Sequence, residues 1–253
     1  MKTYYFTLFF VLILIINSRA QWILQHQYVP YYSFHKINFI NENTGWVCGD
    51  GTIEKTTNGG LNWIIQTHEA TDKELYGMFP IDSQVVYCVG RFETILKTTN
   101  GGGNWISIRN GTYGTGNSYF GVYFLDKDTG WIAGSGYKFL KTYNGEQSFD
   151  SISTWVNYIT NMYDINFINA QTGISVGPVG MAYKSTNGGY NWFKMQVPLG
   201  SVLSNLYNIS IINNQYCYLA GSDGRIFYSS NFGDTWTILT QIISPPQQHI
   251  YFC

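Results

Sequence analysis

The stretch KTTNGGLNW at residues 55 to 63 returns as KTTNGGGNW at 97 to 105, KTYNGEQSF at 141 to 149, KSTNGGYNW at 184 to 192 and YSSNFGDTW at 228 to 236. Its asparagines, Asn58, Asn100, Asn144, Asn187 and Asn231, stand 42, 44, 43 and 44 residues apart. The terminal aromatics Trp63, Trp105, Phe149, Trp192 and Trp236 keep the same intervals. A glycine landmark (Gly49, Gly90, Gly134, Gly177 and Gly221) and a heading landmark (FHKINF, LYGMFP, YFGVYF, MYDINF and LYNISI) stay in register with them. A period of this length restricts the chain to an array of one supersecondary unit, stacked side by side.

Each unit divides into four short strands. The first reads KINFI, the turn NENTG, WVCG, a tight turn, TIEKT, the NGG turn and NWIIQ. Alternating apolar residues bounded by Asn and Gly mark half-buried antiparallel strands. Four strands in roughly 40 to 45 residues is the size of a propeller blade. The composition agrees, with 27 glycines and 45 Tyr, Trp and Phe residues to supply tight turns and pleated surfaces. Neither a leucine-rich spacing nor a helical period is present, and the WD signature is missing. The expected fold is an all-β propeller with blades at about 34–66, 75–108, 119–152, 162–195 and 206–239.

The run (Ser/Thr)-x-(Asp/Asn)-x-Gly-x-(Thr/Asn)-Trp resembles the Asp-box, or BNR, repeat. The wider frame INFINENTGWVCGDGTIEKTTNGGLNW is similar to propellers of the photosystem II stability and assembly factor family, over about residues 21 to 240. That resemblance implies boxes that sit on the blade periphery and are structural. Physically, the Asn side chain bonds backbone groups across the turn. Gly60, Gly102, Gly189 and Gly233 tolerate a positive φ, and the Trp packs between sheets. The third box has Glu146 and Phe149 where its siblings have Gly and Trp, so a looser hairpin is expected there.

Residues 1–20 read as a secretory signal: Lys2, an apolar run from Tyr5 to Ile16, and Ser18-Arg19-Ala20 before the cleavage point. A membrane anchor is the other reading, but the run is shorter than the roughly 20 residues of a span. The mature chain, 21–253, is therefore expected to be secreted, periplasmic or on the cell surface, with no later membrane span. QWILQ at 21–25 matches NWIIQ at 62–66, as an outermost strand that closes a ring would. Residues 249–253 fall where a further blade would begin, which suggests a shortened six- or seven-bladed ring. The alternative is a five-bladed ring closed by 21–25. Cys48, Cys88, Cys217 and Cys253 show no framework spacing and are read as buried thiols.

The residues heading the innermost strands, His35, Tyr76, Phe120, Tyr163 and Tyr207, should approach one rim of a central channel, to pack blades together or to meet a ligand. The loop RNGTYGTGNSY at 109–119 adds Tyr113 and Tyr119 as candidates, because loops that vary on a repeated scaffold carry binding. No cofactor is implied. His26, His35, His68 and His249 lack zinc spacing. Asp126–Gly130 has the composition of a calcium loop but aligns with the hairpin turns at 41–45 and 169–173. A formal charge of −1 gives no basic footprint for nucleic acid.

After the leader only Arg91, Arg109 and Arg225 remain, too scattered for the arginine triad of a sialidase-like site. Glu69, Asp72, Glu74 and Asp164 could reach the rim, although no pair is marked as the two carboxylates of a glycosidase. The expected function is a non-catalytic scaffold that binds a protein or carbohydrate ligand, with an Asp-box glycoside hydrolase as the rival.

Overall fold

Runs of β-branched and aromatic residues, each four to six long and cut by Asn-Gly turns, leave the chain little choice but short antiparallel meanders. The computed structural model describes residues 33–111, 116–145, 149–152, 160–199, 204–222 and 224–240. The leader, residues 21–25, Tyr113, Cys253 and residues 249–253 lie outside them. The first blade comprises β1 (Phe34–Phe39), β2 (Gly45–Gly49), β3 (Ile53–Thr56) and β4 (Ile64–Ile65). The second comprises β5 (Leu75–Pro80), β6 (Val86–Gly90), β7 (Thr94–Thr98) and β8 (Ile106–Arg109). In the third are β9 (Tyr119–Phe124), β10 (Gly130–Gly134), β11 (Phe139–Thr142) and β12 (Asp150–Ile152). The fourth holds β13 (Asp164–Phe167), β14 (Gly173–Val176), β15 (Ala182–Ser185) and β16 (Phe193–Lys194). Last come β17 (Leu206–Ile211), β18 (Cys217–Gly221), β19 (Ile226–Ser229) and β20 (Thr237–Thr240).

All five sheets are antiparallel meanders in chain order, so the protein is a β-propeller of four-stranded blades. Inner strands pack in sequence, β1 on β5, β5 on β9, β9 on β13 and β13 on β17. No comparable packing joins β17 to β1 among the described residues. Close approach is built in by Gly77 and Gly121. A Cβ on the first would lie 2.4 Å from the Phe120 carbonyl oxygen, and on the second 2.8 Å from the Asp164 Cα. Among the described residues no helix is long and apolar enough to cross a membrane.

The second strand of a blade is sandwiched by sheets on both sides, and β2, β6 and β10 are accordingly buried at every residue. Tyr87 stacks on Phe124 of the next blade at 4.1 Å, and Trp131 on Phe167 at 3.7 Å. Each such buried ring contributes on the order of 2–3 kcal/mol, and stacking adds about 1 kcal/mol. Cys48, Cys88 and Cys217 are buried free thiols, and burial pushes those of Cys88 and Cys217 up.

The repeated boxes turn on a hydroxyl as much as on the asparagine. Thr56 Oγ1 accepts from the Gly60 N–H at 2.9 Å and donates to Asn58 Oδ1 at 3.0 Å, while Asn58 Oδ1 accepts from the Asn62 N–H at 2.9 Å. Thr98, Ser185 and Ser229 repeat this pattern with Asn100, Asn187 and Asn231. Gly60 has φ 89° and Gly102 φ 96°, the left-handed region that glycine enters without strain. In the third box the Thr142 hydroxyl accepts one residue earlier, from the Gly145 N–H at 3.1 Å, beside the Asn144 pair at 3.1 Å. The sequence places Glu146 next, where the other boxes have glycine.

The terminal aromatic of boxes two to five reaches the preceding blade. Trp105 lies in one cluster with Trp46 and Ile53 of blade one. Phe149 joins the cluster holding Tyr87 and Val89 of blade two. Trp192 stacks on Phe139 of blade three at 4.7 Å, and Trp236 packs with Ile174 and Met195 of blade four. Trp63 is half-buried, its ring contact being Phe39 of its own blade at 6.0 Å. The first environment therefore differs from the rest, while the four later aromatics pack in one direction.

A lysine that opens each of the first four boxes reaches the other way. Lys55 Nζ donates to the Gly101 carbonyl at 2.7 Å, Lys97 to Gly145 at 3.4 Å and Lys141 to Gly188 at 3.0 Å. Lys184 pairs with Asp234 at 2.7 Å. Lys55, Lys97 and Lys141 also lie over rings of their own blades, Trp46, Tyr87 and Trp131, at 4.9, 5.1 and 5.0 Å. Tyr228 occupies the corresponding place in blade five, against Tyr216 and Tyr218.

Candidate functional site

Four inner strands carry the same irregularity at the same place. The ladder pairing slips between Phe34 and Lys36, between Leu75 and Gly77, opposite Ala133 and Gly134, and between Leu206 and Asn208. The residues skipped are His35, Tyr76, Phe120 and Tyr207. A β-bulge removes a residue from the ladder and re-aims its side chain, here toward the channel. In the fourth blade Tyr163 holds the equivalent place by donating its N–H to the Val176 carbonyl at 2.7 Å.

The five rings form a continuous arc around the mouth. Centroid separations are 5.3 Å for His35–Tyr76, 5.1 Å for Tyr76–Phe120, 5.8 Å for Phe120–Tyr163 and 5.6 Å for Tyr163–Tyr207. Polar groups behind the rings fix their positions. His35 Nε2 is 2.9 Å from Asp50 Oδ1. Burial raises the Asp50 carboxyl's pKa, but the bonds from His35 and Ser33 outweigh it and hold the group below its ordinary value. The Tyr76 hydroxyl donates to Glu74, which pairs with Arg91 at 2.9 Å. Burial and that carboxylate push the Tyr76 phenol well above its usual range. Asn205 Nδ2 donates to Tyr207 Oη at 3.2 Å.

Beneath the rings lies a cavity of about 400 Å³ lined by residues of all five inner strands. Its second level holds Lys36, Gly77, Gly121, Asp164 and Asn208, and its third Asn38, Phe79, Asn166 and Ser210. Asp164 is buried, and each carboxylate oxygen accepts a backbone N–H. Oδ1 accepts from the Ile165 N–H and Oδ2 from the Ile209 N–H, each at 2.9 Å. Desolvation raises its pKa, against the opposing pull of Lys36 and these two bonds. It therefore ties blade four to blade five. Asn38 Nδ2 donates to the Met78 carbonyl at 2.7 Å and Asn166 Nδ2 to that of Ile209 at 3.4 Å, so both amides bridge neighbouring blades.

Tyr119 requires a correction. It was expected on the rim with its loop, but the side chain is fully buried in the cluster between blades two and three. The bulge explains the difference: it turns Phe120 out and leaves Tyr119 in the ladder opposite Gly134. Tyr113 lies outside the described residues. The arginines do not converge. Arg91 pairs with Glu74, Arg109 pairs with Glu93 at 2.7 Å, and Arg225 donates to the Leu199 carbonyl. Glu69 and Asp72 are exposed and, like Glu74, do not line the cavity, which leaves Asp164 as its carboxylate among the described residues. Asp126 Oδ1 accepts from the N–H groups of Asp128 and Thr129 at 2.8 and 2.7 Å, an Asx turn like that of Asn41.

Sequence reasoning missed Glu93. Its carboxylate takes Arg109, Lys138 at 2.5 Å and Asn117 Nδ2 at 3.0 Å, joining blade two, blade three and both stems of the 109–119 loop. Burial raises its pKa, and these partners more than reverse that, holding it below the usual carboxylate value. Phe92 and Glu93 adopt φ of 55° and 58° at a turn where blades one, three and five place glycine (Gly51, Gly136 and Gly224) and blade four pairs Val179 with Gly180. Such strain costs about 1 kcal/mol or more per residue, and the signal legible in the sequence was the missing glycine.

Structural comparison places this geometry among known propellers. An ancestral GH74 enzyme superposes with a TM-score of 0.68 at 18% identity, covering 85% of this chain and 32% of the enzyme. YCF48 bound to a D1 peptide matches with a TM-score of 0.55 at 16% identity, over 82% of this chain and 80% of that one. The chain has the fold of these propellers. The GH74 enzyme of Niastella koreensis gives a TM-score of 0.62 at 18% identity over 81% of this chain and 38% of its own. This propeller thus spans about a third of the GH74 enzymes' length and four fifths of YCF48. No protein-family model and no curated sequence matches it.

Proposed function

We propose that this propeller is an exported or cell-surface binding scaffold, without catalysis of its own, that takes a protein or glycan at the channel mouth. The observation that carries the reading is the bulge repeated at His35, Tyr76, Phe120 and Tyr207. A ladder irregularity kept in four sheets serves the mouth that the four share, since each blade alone would gain from regular pairing. The cavity beneath is concave and sets aromatic and aliphatic walls beside polar side chains such as Lys36, Asn38 and Asn166, and convergent polar groups in a concave site are a mark of ligand binding. Support also comes from the fold shared with YCF48, whose structure was solved with a D1 peptide bound.

The rival reading, a glycoside hydrolase, draws on the fold shared with GH74 enzymes. A hydrolase needs two carboxylates about 5 to 10 Å apart across the scissile bond. Among the described residues the one carboxylate lining this cavity, Asp164, accepts two backbone N–H bonds. Binding and hydrolysis of oligosaccharides, measured side by side on the wild type, on Tyr76→Ala and on Asp164→Asn, separate the two. A scaffold shows no turnover, and Tyr76→Ala weakens binding by about tenfold, the loss of one ring's contact area. Turnover abolished by Asp164→Asn with the fold retained gives the site to the hydrolase.

A further inference from the structure

We infer that Cys48 and Cys88 join as one disulfide while the chain folds, stapling blade one to blade two. The inference goes beyond the binding reading and concerns how the first blade is held.

The first support is where the repeat places the two sulfurs. Cys48 immediately precedes the landmark Gly49, while Cys88 stands two residues before Gly90. Successive residues of a strand face opposite sides of the sheet. The offset of one therefore turns Cys48 forward to blade two and Cys88 back to blade one. Both are buried in the one cluster between those blades, with Trp46 and Ile53 on one side and Leu75 and Trp105 on the other. The Cys48 thiol donates across the interface to the Leu75 carbonyl at 3.6 Å, and the two thiols are hydrogen-bonded to each other. Sulfurs already in contact have only the last approach to a bond of about 2 Å left to make.

The second support is the contrast with other interfaces. At the same place Val89 faces Ile132 between blades two and three, and Val176 faces Leu219 between blades four and five. Hydrocarbon pairs meet the needs of packing there. Of these three interfaces, the first alone sets sulfur against sulfur.

The third support is what the first blade lacks. Among the described residues no comparable packing joins β17 to β1, so blade one is held through one interface where an interior blade has two. End units of a repeat array open most readily. A cross-link that closes the 40 positions from Cys48 to Cys88 restricts the unfolded chain and secures that end.

The oxidant is a disulfide of the oxidised glutathione class, as the oxidising setting expected for an exported chain supplies. One protein thiolate attacks it, forms a mixed disulfide and releases the first small thiol. The second thiolate attacks the protein sulfur of that intermediate, closing the Cys48–Cys88 bond and releasing the second small thiol. Two protons and two electrons pass from the protein thiols to the oxidant. In the folded protein neither cysteine is exposed, so the exchange belongs to the interval before blade two docks.

The test refolds the full chain in a buffer of reduced and oxidised glutathione, and in parallel in dithiothreitol. Thiols are titrated in denaturant, and linked peptides are mapped by mass spectrometry. Expected in the glutathione buffer is the loss of two of the four thiols, with one linked peptide pair carrying Cys48 and Cys88. The oxidised protein should unfold at a urea midpoint about 1 M above the reduced one. Cys217→Ala should behave as the wild type does, whereas Cys48→Ala and Cys88→Ala should keep every remaining thiol. Mapping of the wild type decides the linkage even where a variant fails to fold. Four thiols retained in glutathione, a linked pair that includes Cys217 or Cys253, or a wild-type midpoint equal in both buffers overturns the inference. Each of these outcomes leaves the channel-mouth reading standing, because no ligand enters the measurement.

Discussion

At the scale of single residues, the box motif shows what a linear pattern conveys and what it hides. Asn58, Gly60 and Trp63 announce themselves by recurrence. The burial of Thr56, Thr98, Thr142, Ser185 and Ser229 does not, although these hydroxyls are the pivots of the boxes. A hydroxyl at the end of a strand is unremarkable until the turn brings the N–H four residues on within 2.9 Å of it. Asn100 acts mainly through Oδ1, which accepts from the Thr98 hydroxyl and the Asn104 N–H. Asn100→Asp keeps those acceptors and should change stability by less than about 0.5 kcal/mol. Thr98→Val strands the Gly102 N–H and should cost about 1–3 kcal/mol. Urea denaturation of the two variants checks the contrast, and equal losses would refute the hydroxyl's role.

Between elements, the clamp around Glu93 holds two blades and a loop together. The folded-state pKa of Glu93 lies below its ordinary 4.5. Its contribution is therefore fully present above the unfolded value and is lost as pH falls through the folded one. Glu93→Gln should destabilise the protein by about 2 kcal/mol at neutral pH, as a charge-assisted hydrogen bond would. The gap from wild type should hold down to about pH 5 and close below about 4.5. Thermal melts across that range read it directly, and a gap that widens in acid would reverse the sign of the linkage. Inter-blade partners of this kind escape sequence reading. Glu93 and Lys138 stand 45 positions apart in the chain, and only the stacking of blades makes them neighbours. The bulges escaped for a related reason. The heading aromatics were visible as a column, but which of Tyr119 and Phe120 turns outward depends on a slip in pairing that neither residue type encodes.

For the molecule as a whole, the period was legible because each landmark recurs in register, and the propeller followed from it. The direction of packing was not. The later box aromatics lean on the blade before them, whereas Trp63 meets Phe39 of its own blade, so Trp105 is 2% exposed while Trp63 is half-buried. Trp105→Ala should cost about 3–5 kcal/mol, and Trp63→Ala less than half of that. Denaturation of the two variants measures the difference, and equal costs would mean that position along the arc does not matter. The lysines give the same asymmetry the opposite sense, since Lys55, Lys97 and Lys141 each wait for a carbonyl of the blade that follows. During synthesis, then, each of blades two to five finds its seat already prepared: an ammonium extended toward its turn and a hollow for its box aromatic. Such a chain can zip itself up from the amino end as it leaves the ribosome, each addition shielding the exposed flank of the last.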